Sequence, residues 1–363
     1  FFTDEMSALA FHRGITHSIF FAVVAPFLFG WLTARFYEKG FYKSNTYKWV
    51  AFIFWVLTFS IVTVQFNSII APEGGINWSV IKYFVLVGLV SAFGLWWFFF
   101  RTKPLDTEIT WKEWAWLWFW AIFTHPLLDS CTSYGTQLFQ PFTDYRVALN
   151  NISVVDPIYT TPFLICVIIA GIFTRNSSKR KIVNWVGIGI SSAYLLFTGY
   201  NKLKVDKIFE KSLAEQGIEY NRYRTSPTIL NNILWQGVAE GDSLYYYGEY
   251  SFLDEKERIL KFIKFPRNHQ LIAKYDGLRD VEILKWFSNE YYWIEDRGNG
   301  KFIFNDLRTI SGGGKGDERE SVFRFVIEEK NGEVIVRGSE EDRAPTKEDL
   351  DLFFERIKGI ASN

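Results

Sequence analysis

Six times between residues 17 and 200 the chain runs through roughly twenty residues with almost no charge, then breaks at a polar connection. A helix needs about 20 apolar residues to cross the hydrocarbon core of a bilayer. Only helices and closed barrels can satisfy their backbone polar groups there. The runs lie at 17–36, 48–70, 80–100, 112–131, 158–174 and 182–200. They predict an α-helical polytopic membrane domain over residues 1–200, with about six visible transmembrane helices.

Residues 201–363 change character and are rich in Lys, Arg, Asp and Glu. They predict a soluble α+β domain. Strand-like runs fall at 243–252, 291–296, 301–306, 322–328 and 333–337, with Asn331-Gly332 as a hairpin signal. Helical runs fall at 204–216, 274–287 and 346–359, the last opened by Thr346, Glu348 and Asp349. The glycine cluster Gly312–Gly316 lacks phosphate-loop spacing and reads as a loop.

Charge decides partners and orientation. Forty basic side chains balance forty acidic ones, so no basic face for nucleic acid is expected. The bilayer is the partner this composition implies, and nothing in it sets an oligomeric state. Positive charge gathers in the connections 35–48, 101–112 and 175–181, whereas 71–79 has none and 132–157 only Arg146. Basic loops face the cytoplasm. Residues 12–18, the 132–157 loop and the C-terminal domain are therefore expected on the extracytoplasmic side. The chain begins at Phe1 and its only methionine is Met6, which reads as a sequence lacking its start.

Three of the four histidines sit in two polar motifs bordering these runs: His12-Arg13-Gly14-Ile15-Thr16-His17-Ser18, and His125-Pro126-Leu127-Leu128-Asp129 continuing to Thr136. Ionisable groups at membrane depth are costly and mark function. His125 and Asp129, four apart, point about 40° from each other on a helix and can share a metal ion. Pro126 is expected to break that helix. His12 and His17, five apart, would diverge on one helix, so a turn at Gly14 is needed to bring them together. The metal candidates are His12, His17, His125 and Asp129. Arg13, His17 and Asp129 are the catalytic candidates, and Arg13, Thr136 and Arg146 the substrate-binding ones, with the guanidinium forks suited to phosphate or carboxylate. Asp144 and Asp156 could orient histidines from behind. Asp4 and Glu5 read as solvated end charges, and Cys131 and Cys166 as small buried side chains rather than a disulfide framework.

HRGITHS at 12–18 and HPLLDSCTSYGTQLFQPF at 125–142 resemble the YdjM-like inner-membrane proteins, a family described as membrane-bound metal-dependent hydrolases. WFSNEYYWIEDRGNGKFIFNDLR at 286–308 resembles the tail of its longer members. Members usually begin with a further segment bearing Thr-His or Thr-Gln and Asp-x-Asp, which this sequence does not show. The resemblance implies a bacterial inner-membrane location. More distantly, His-x-x-x-Asp is similar to a pattern of the zinc-dependent phospholipase C group and related nucleases, where Arg13 would hold phosphate.

Together these features lead to the expectation of a membrane-embedded metal-dependent hydrolase acting on a phosphoester of a lipid or lipid-linked substrate. The ion would be divalent, zinc first, with manganese or iron as alternatives. The rival is a non-catalytic membrane regulator or scaffold in which the His/Asp motifs tie helices together. A transporter is a third reading, weakened because no internal inverted repeat is visible.

Overall fold

The computed structural model describes residues 4–70, 78–101, 109–174, 176–310, 321–330, 332–339 and 347–360. The glycine cluster 312–316, Asn331 and Thr346 lie outside these residues.

Every apolar run is helical. After a short helix α1 (Glu5–Phe11) come α2 (Ile19–Glu38), α3 (Asn45–Ile70), α4 (Trp78–Arg101), α5 (Trp111–Ser130), α6 (Pro157–Ile172) and α7 (Ser178–Glu215). Among the described residues, four helices are long and apolar enough to cross a membrane: α2, α3, α4 and α7. The expected count of six is not reached by that standard. α6 has only 16 residues. The apolar run of α5 is interrupted by Lys112, Glu113, His125 and Asp129 and filled with tryptophans, whose indole N–H is polar.

The chain forms two compact units, Phe21–Phe123 on the one hand and Phe1–Phe20 with Thr124–Asn363 on the other. In the first, α2 buries a stripe of small residues, Ala22, Ala25, Gly30 and Ala34. A methyl group added at Gly30 would come within 2.7 Å of the Ala115 side chain on α5. Small side chains are what permit such close backbone approach between apolar helices. The Trp118 indole donates to the Thr33 hydroxyl at 3.0 Å, and Tyr37 stacks on Trp114 at 4.9 Å. Outward, α3 and α4 present large apolar side chains, among them Phe54, Val64, Tyr83 and Leu89.

The second unit carries two four-stranded antiparallel sheets. One contains β1 (Arg222–Pro227), β2 (Leu234–Glu240), β3 (Leu244–Ser251) and β4 (Ile263–Pro266); the other contains β5 (Tyr292–Asp296), β6 (Lys301–Asp306), β7 (Arg324–Lys330) and β8 (Glu333–Gly338). Two further helices, α8 (Arg279–Phe287) and α9 (Lys347–Ile357), complete it. In β7–β8 Lys330 lies opposite Glu333, the register of a two-residue hairpin. α7 runs for 38 residues, about 57 Å. Its C-terminal part buries Val205, Ile208, Phe209 and Leu213 against Trp235, Ala239 and Tyr250 of the first sheet. Val238, Tyr245 and Tyr247 of that sheet meet Trp293 of the other and Tyr291 just before it.

Three strands escaped the sequence. β1 is polar, β2 is buried on both faces and so shows no alternation, and β4 has four residues. α1 also escaped, and with it the role of its charges. Asp4 is exposed, as expected of an end charge, and its carboxylate also caps α1 by accepting from the Ser7 N–H at 2.6 Å. Glu5 accepts from the Gly338 N–H at 2.9 Å, and Met6 is seated in the core of the second sheet with Ile272, Leu284 and Phe304. The N-terminal segment is thus part of the sheet domain, through contacts between residues more than 300 positions apart.

Candidate functional site

The two polar motifs come together through backbone bonds. The Gln137 N–H donates to the Arg13 carbonyl at 3.1 Å and the Ile19 N–H to the Leu138 carbonyl at 2.9 Å. The Gln137 amide also donates to the Ala10 carbonyl at 3.1 Å. The loop after α5 therefore straps the first motif in place. Arg13 adopts a left-handed backbone conformation (φ 56°) and Gly14 follows. This turn separates His12, at the end of α1, from His17, in a single 3-10 turn just before α2.

Contrary to expectation, Pro126 does not break α5, which continues to Ser130. A proline removes a single helical hydrogen bond, and an apolar helix tolerates that when its surroundings compensate. Because the helix is continuous, His125 and Asp129 remain one turn apart on one face.

His17, His125 and Asp129 converge, with one ligand atom from each lying within 4.8 Å of the others. His125 Nε2 lies 3.4 Å and His17 Nε2 3.7 Å from the same carboxylate oxygen, Asp129 Oδ2. These separations are too long for good hydrogen bonds, which centre near 2.9 Å. The edge of a tetrahedron with metal–ligand bonds of 2.0–2.2 Å is about 3.3–3.6 Å, which the His125 separation matches and the His17 separation slightly exceeds. The other oxygen, Oδ1, is taken by Arg13 Nη2 at 3.2 Å. The carboxylate is thereby divided, one oxygen facing a guanidinium and the other two imidazoles. The donor set of two imidazoles and one carboxylate fits a zinc-type site with a fourth position open. His125, with 64% of its side chain exposed, lies on the open side.

The supporting contacts fix these orientations. The Thr16 hydroxyl lies 3.2 Å from His17 Nδ1, which leaves Nε2 turned toward Asp129. Arg13 Nη1 donates to the Thr132 hydroxyl at 2.8 Å, and that hydroxyl donates to the Asp129 carbonyl at 2.7 Å. Burial lowers the pKa of His17 and of His12, favouring the neutral imidazoles that ligate metals. If the Thr16 contact orients a ligand, Thr16→Val should weaken metal binding about 10–100-fold, the usual loss for an outer-shell partner. Titration calorimetry of the purified protein would check this, and unchanged affinity would remove Thr16 from the site.

The remaining candidates are placed differently. His12 is outside the three-residue cluster, and its ring packs edge-on against Tyr134 at 5.1 Å. Arg146 donates to the Tyr134 and Gly135 carbonyls at 3.2 Å each, and its Nη1 is buried without a partner among the described residues. Burial lowers its pKa to about 10. Thr136 is fully buried in a short bridge to Val147, its hydroxyl without a hydrogen-bond partner among the described residues. Asp156 does not orient a histidine: it caps α6 and accepts from the Tyr194 hydroxyl at 2.9 Å. Cys131 is buried, with its thiol 3.5 Å from the Leu127 carbonyl.

Sequence reasoning missed Tyr134. The guanidinium carbons of Arg13 and Arg146 lie 4.8 Å and 4.6 Å from its ring centre. Phe287 of the sheet domain packs edge-on against it at 5.2 Å. An aromatic residue inside Ser133-Tyr134-Gly135 was the available signal, but only the fold reveals which cations it receives.

Four helices long and apolar enough to cross a bilayer, with a His/Asp cluster near the end of a fifth helix, α5, fit a membrane protein. Over residues 81–205 the chain matches the family model described as YdjM inner membrane protein, which bears out the resemblance seen in the second motif. The first motif lies before the matched stretch. No curated protein and no solved structure matches the chain.

Proposed function

We propose that this protein is a multi-pass inner-membrane hydrolase that uses a divalent metal ion, zinc first, to cleave a phosphoester of a lipid or lipid-linked substrate. The observation that carries the reading is the division of the Asp129 carboxylate. Arg13 holds Oδ1, while His17 and His125 stand from Oδ2 at separations longer than hydrogen bonds and near the spacing of two ligands on one ion. A purely structural His–Asp tie would close those gaps to about 2.9 Å.

In this reading His17, His125 and Asp129 hold the ion, which when bound would supply Lewis acidity and an activated water. Arg13 holds Asp129 in orientation through Oδ1. Its remaining N–H groups, and those of Arg146, provide positive charge for a phosphoryl group. His12 is close enough to both arginines for their charge to lower its pKa, and as a neutral imidazole it can accept or relay a proton at the rim of the site. In this reading α5 and α6 are also membrane helices, giving six, and the site faces the extracytoplasmic side, which the distribution of loop charge supports.

The test is elemental analysis of the detergent-purified protein with His125→Ala and His17→Ala alongside. Near-stoichiometric zinc, manganese or iron in the parent and loss in both variants is the expected result. A well-folded parent without metal would overturn the reading and favour the regulator or scaffold, in which the Arg13–Asp129 pair serves only to join the two motifs.

A further inference from the structure

The turn between β1 and β2 has an unusual makeup. Its frame is polar, but its tip, Ile229-Leu230, is aliphatic and more than 40% exposed. Leu230 also holds a left-handed backbone conformation (φ 67°), uncommon and costly for a bulky residue, and such strain persists only where the surroundings impose it. The imposing contacts are visible. Asn231 donates through its side-chain amide to the Thr228 hydroxyl and the Ile229 carbonyl, both at 2.9 Å. Its carbonyl oxygen receives the Ile233 and Leu234 N–H groups at 2.9 and 2.7 Å.

The turn is also fixed in depth along α7. Asn201 on α7 donates to Asn232 at 2.8 Å, Asn232 donates to the Asn151 carbonyl at 2.8 Å, and Asn151 donates to Thr198 on α7 at 2.8 Å. The Leu230 N–H reaches the Val155 carbonyl at 3.1 Å. Val154 and Val155 are themselves more than half exposed, and Ile158 on the first turn of α6 is as well. At the same level α7 still turns large apolar groups outward, namely Leu196, Phe197, Tyr200 and Leu203. The aliphatic tip therefore lies at the end of the outward apolar band of a candidate membrane helix, where the run gives way to Lys202 and Lys204.

We propose that Ile229 and Leu230, with Val154 and Val155, form a wedge by which the sheet domain enters the boundary between lipid headgroups and acyl chains. The occupant of this surface is lipid, because the patch is continuous with the apolar exteriors of α6 and α7. Amphipathic membrane anchors bury their apolar face about 5–10 Å into that boundary. The wedge would hold the sheet domain against the bilayer, beside the loop whose Leu149 N–H bonds the carbonyl of Ser130, one residue after Asp129. The inference needs the helices to lie in a bilayer, which reconstitution itself tests. It takes nothing from the metal reading.

The test uses the full chain in phosphatidylcholine/phosphatidylglycerol nanodiscs, with Cys131→Ala and Cys166→Ala and a single cysteine carrying an environment-sensitive NBD label. Ile229→Cys and Val154→Cys are the test positions. Leu260→Cys is the control: it adjoins Ile259, whose carbonyl bonds Gln216, a residue about 22 Å further along α7 than Asn201. The expected result is blue-shifted emission at 229 and 154, quenched by doxyl-labelled lipid and little affected by iodide, with the opposite at 260. Quenching by iodide at 229 and 154 equal to that at 260 would place the tip in water and overturn the proposal. Protection from both quenchers would also overturn it, showing that protein, such as a second copy of the chain, covers the tip.

Discussion

Asp129→Ala should abolish stoichiometric metal and also lower the stability of the protein, and the two effects should be separable. Loss of an outer-shell partner costs about 10–100-fold in metal affinity, so removal of the ligand itself should exceed that range. The stability loss has a different source. The Arg13 and Asp129 side chains are only 10% and 14% exposed. Removing one partner of such a pair leaves a desolvated charge, which costs on the order of 3–5 kcal/mol. Asp129→Ala/Arg13→Met removes both charges and should recover most of the stability in thermal or denaturant unfolding, while metal content stays at background. Asp129→Asn should fall between, keeping the shape and losing the charge. Metal retained at wild-type level in Asp129→Ala would show that the imidazoles are not gathered around this carboxylate for an ion.

How far the sequence disclosed this arrangement depends on the range of the interaction. His125 and Asp129 are one helical turn apart, and that spacing was readable because it is set by helix geometry alone. Charge in the loops placed His17 on the same side as Asp129, but adjacency at 3.7 Å depends on the Gln137–Arg13 and Ile19–Leu138 backbone bonds, which have no signature in composition. His12 looked equivalent to His17. The left-handed turn at Arg13 sends the two in different directions, and a non-glycine residue in that conformation cannot be foreseen from its identity. The apolar runs revealed every long helix. The sheets were half legible: β3, β5, β6, β7 and β8 alternate or are aromatic-rich, while β1 depends on pairing with β2 and β2 on burial between neighbours. Asp4 and Glu5 are exposed as expected, but the contacts of Glu5 and Met6 with Gly338 and Leu284 had no local signal because those partners are distant in sequence.

The second large effect is expected far from the metal candidates, at Asp306. Its side chain is fully buried, and it accepts from Arg308 Nε at 3.0 Å, from Nη2 at 2.6 Å and from the Arg308 backbone N–H at 2.9 Å. Arg308 lies over the Phe287 ring at 4.7 Å, and Phe287 supports Tyr134 beneath Arg13. Nearby, Arg224 donates to neutral acceptors, Asn150 Oδ1 at 2.7 Å and the Ser133 carbonyl at 3.3 Å. Burial, followed by the charge of Arg308, lowers the Arg224 pKa to about 9. Asp306 is thus the carboxylate that offsets a group of buried cations. Asp306→Ala should destabilise the sheet domain by on the order of 3–5 kcal/mol, because a buried guanidinium loses its counter-charge beside another cation. Asp306→Ala/Arg308→Met, which removes the pair together, should recover much of that loss, since well-packed apolar replacements of buried ion pairs are often neutral. The measurement is urea unfolding followed by tryptophan fluorescence, with metal content determined on the folded fraction. A stable Asp306→Ala variant would show that the buried arginines find compensation elsewhere. If the double variant is stable but loses metal, Phe287 and Tyr134 transmit the position of Arg308 to Arg13 and Asp129, and the sheet domain is then a structural wall of the site.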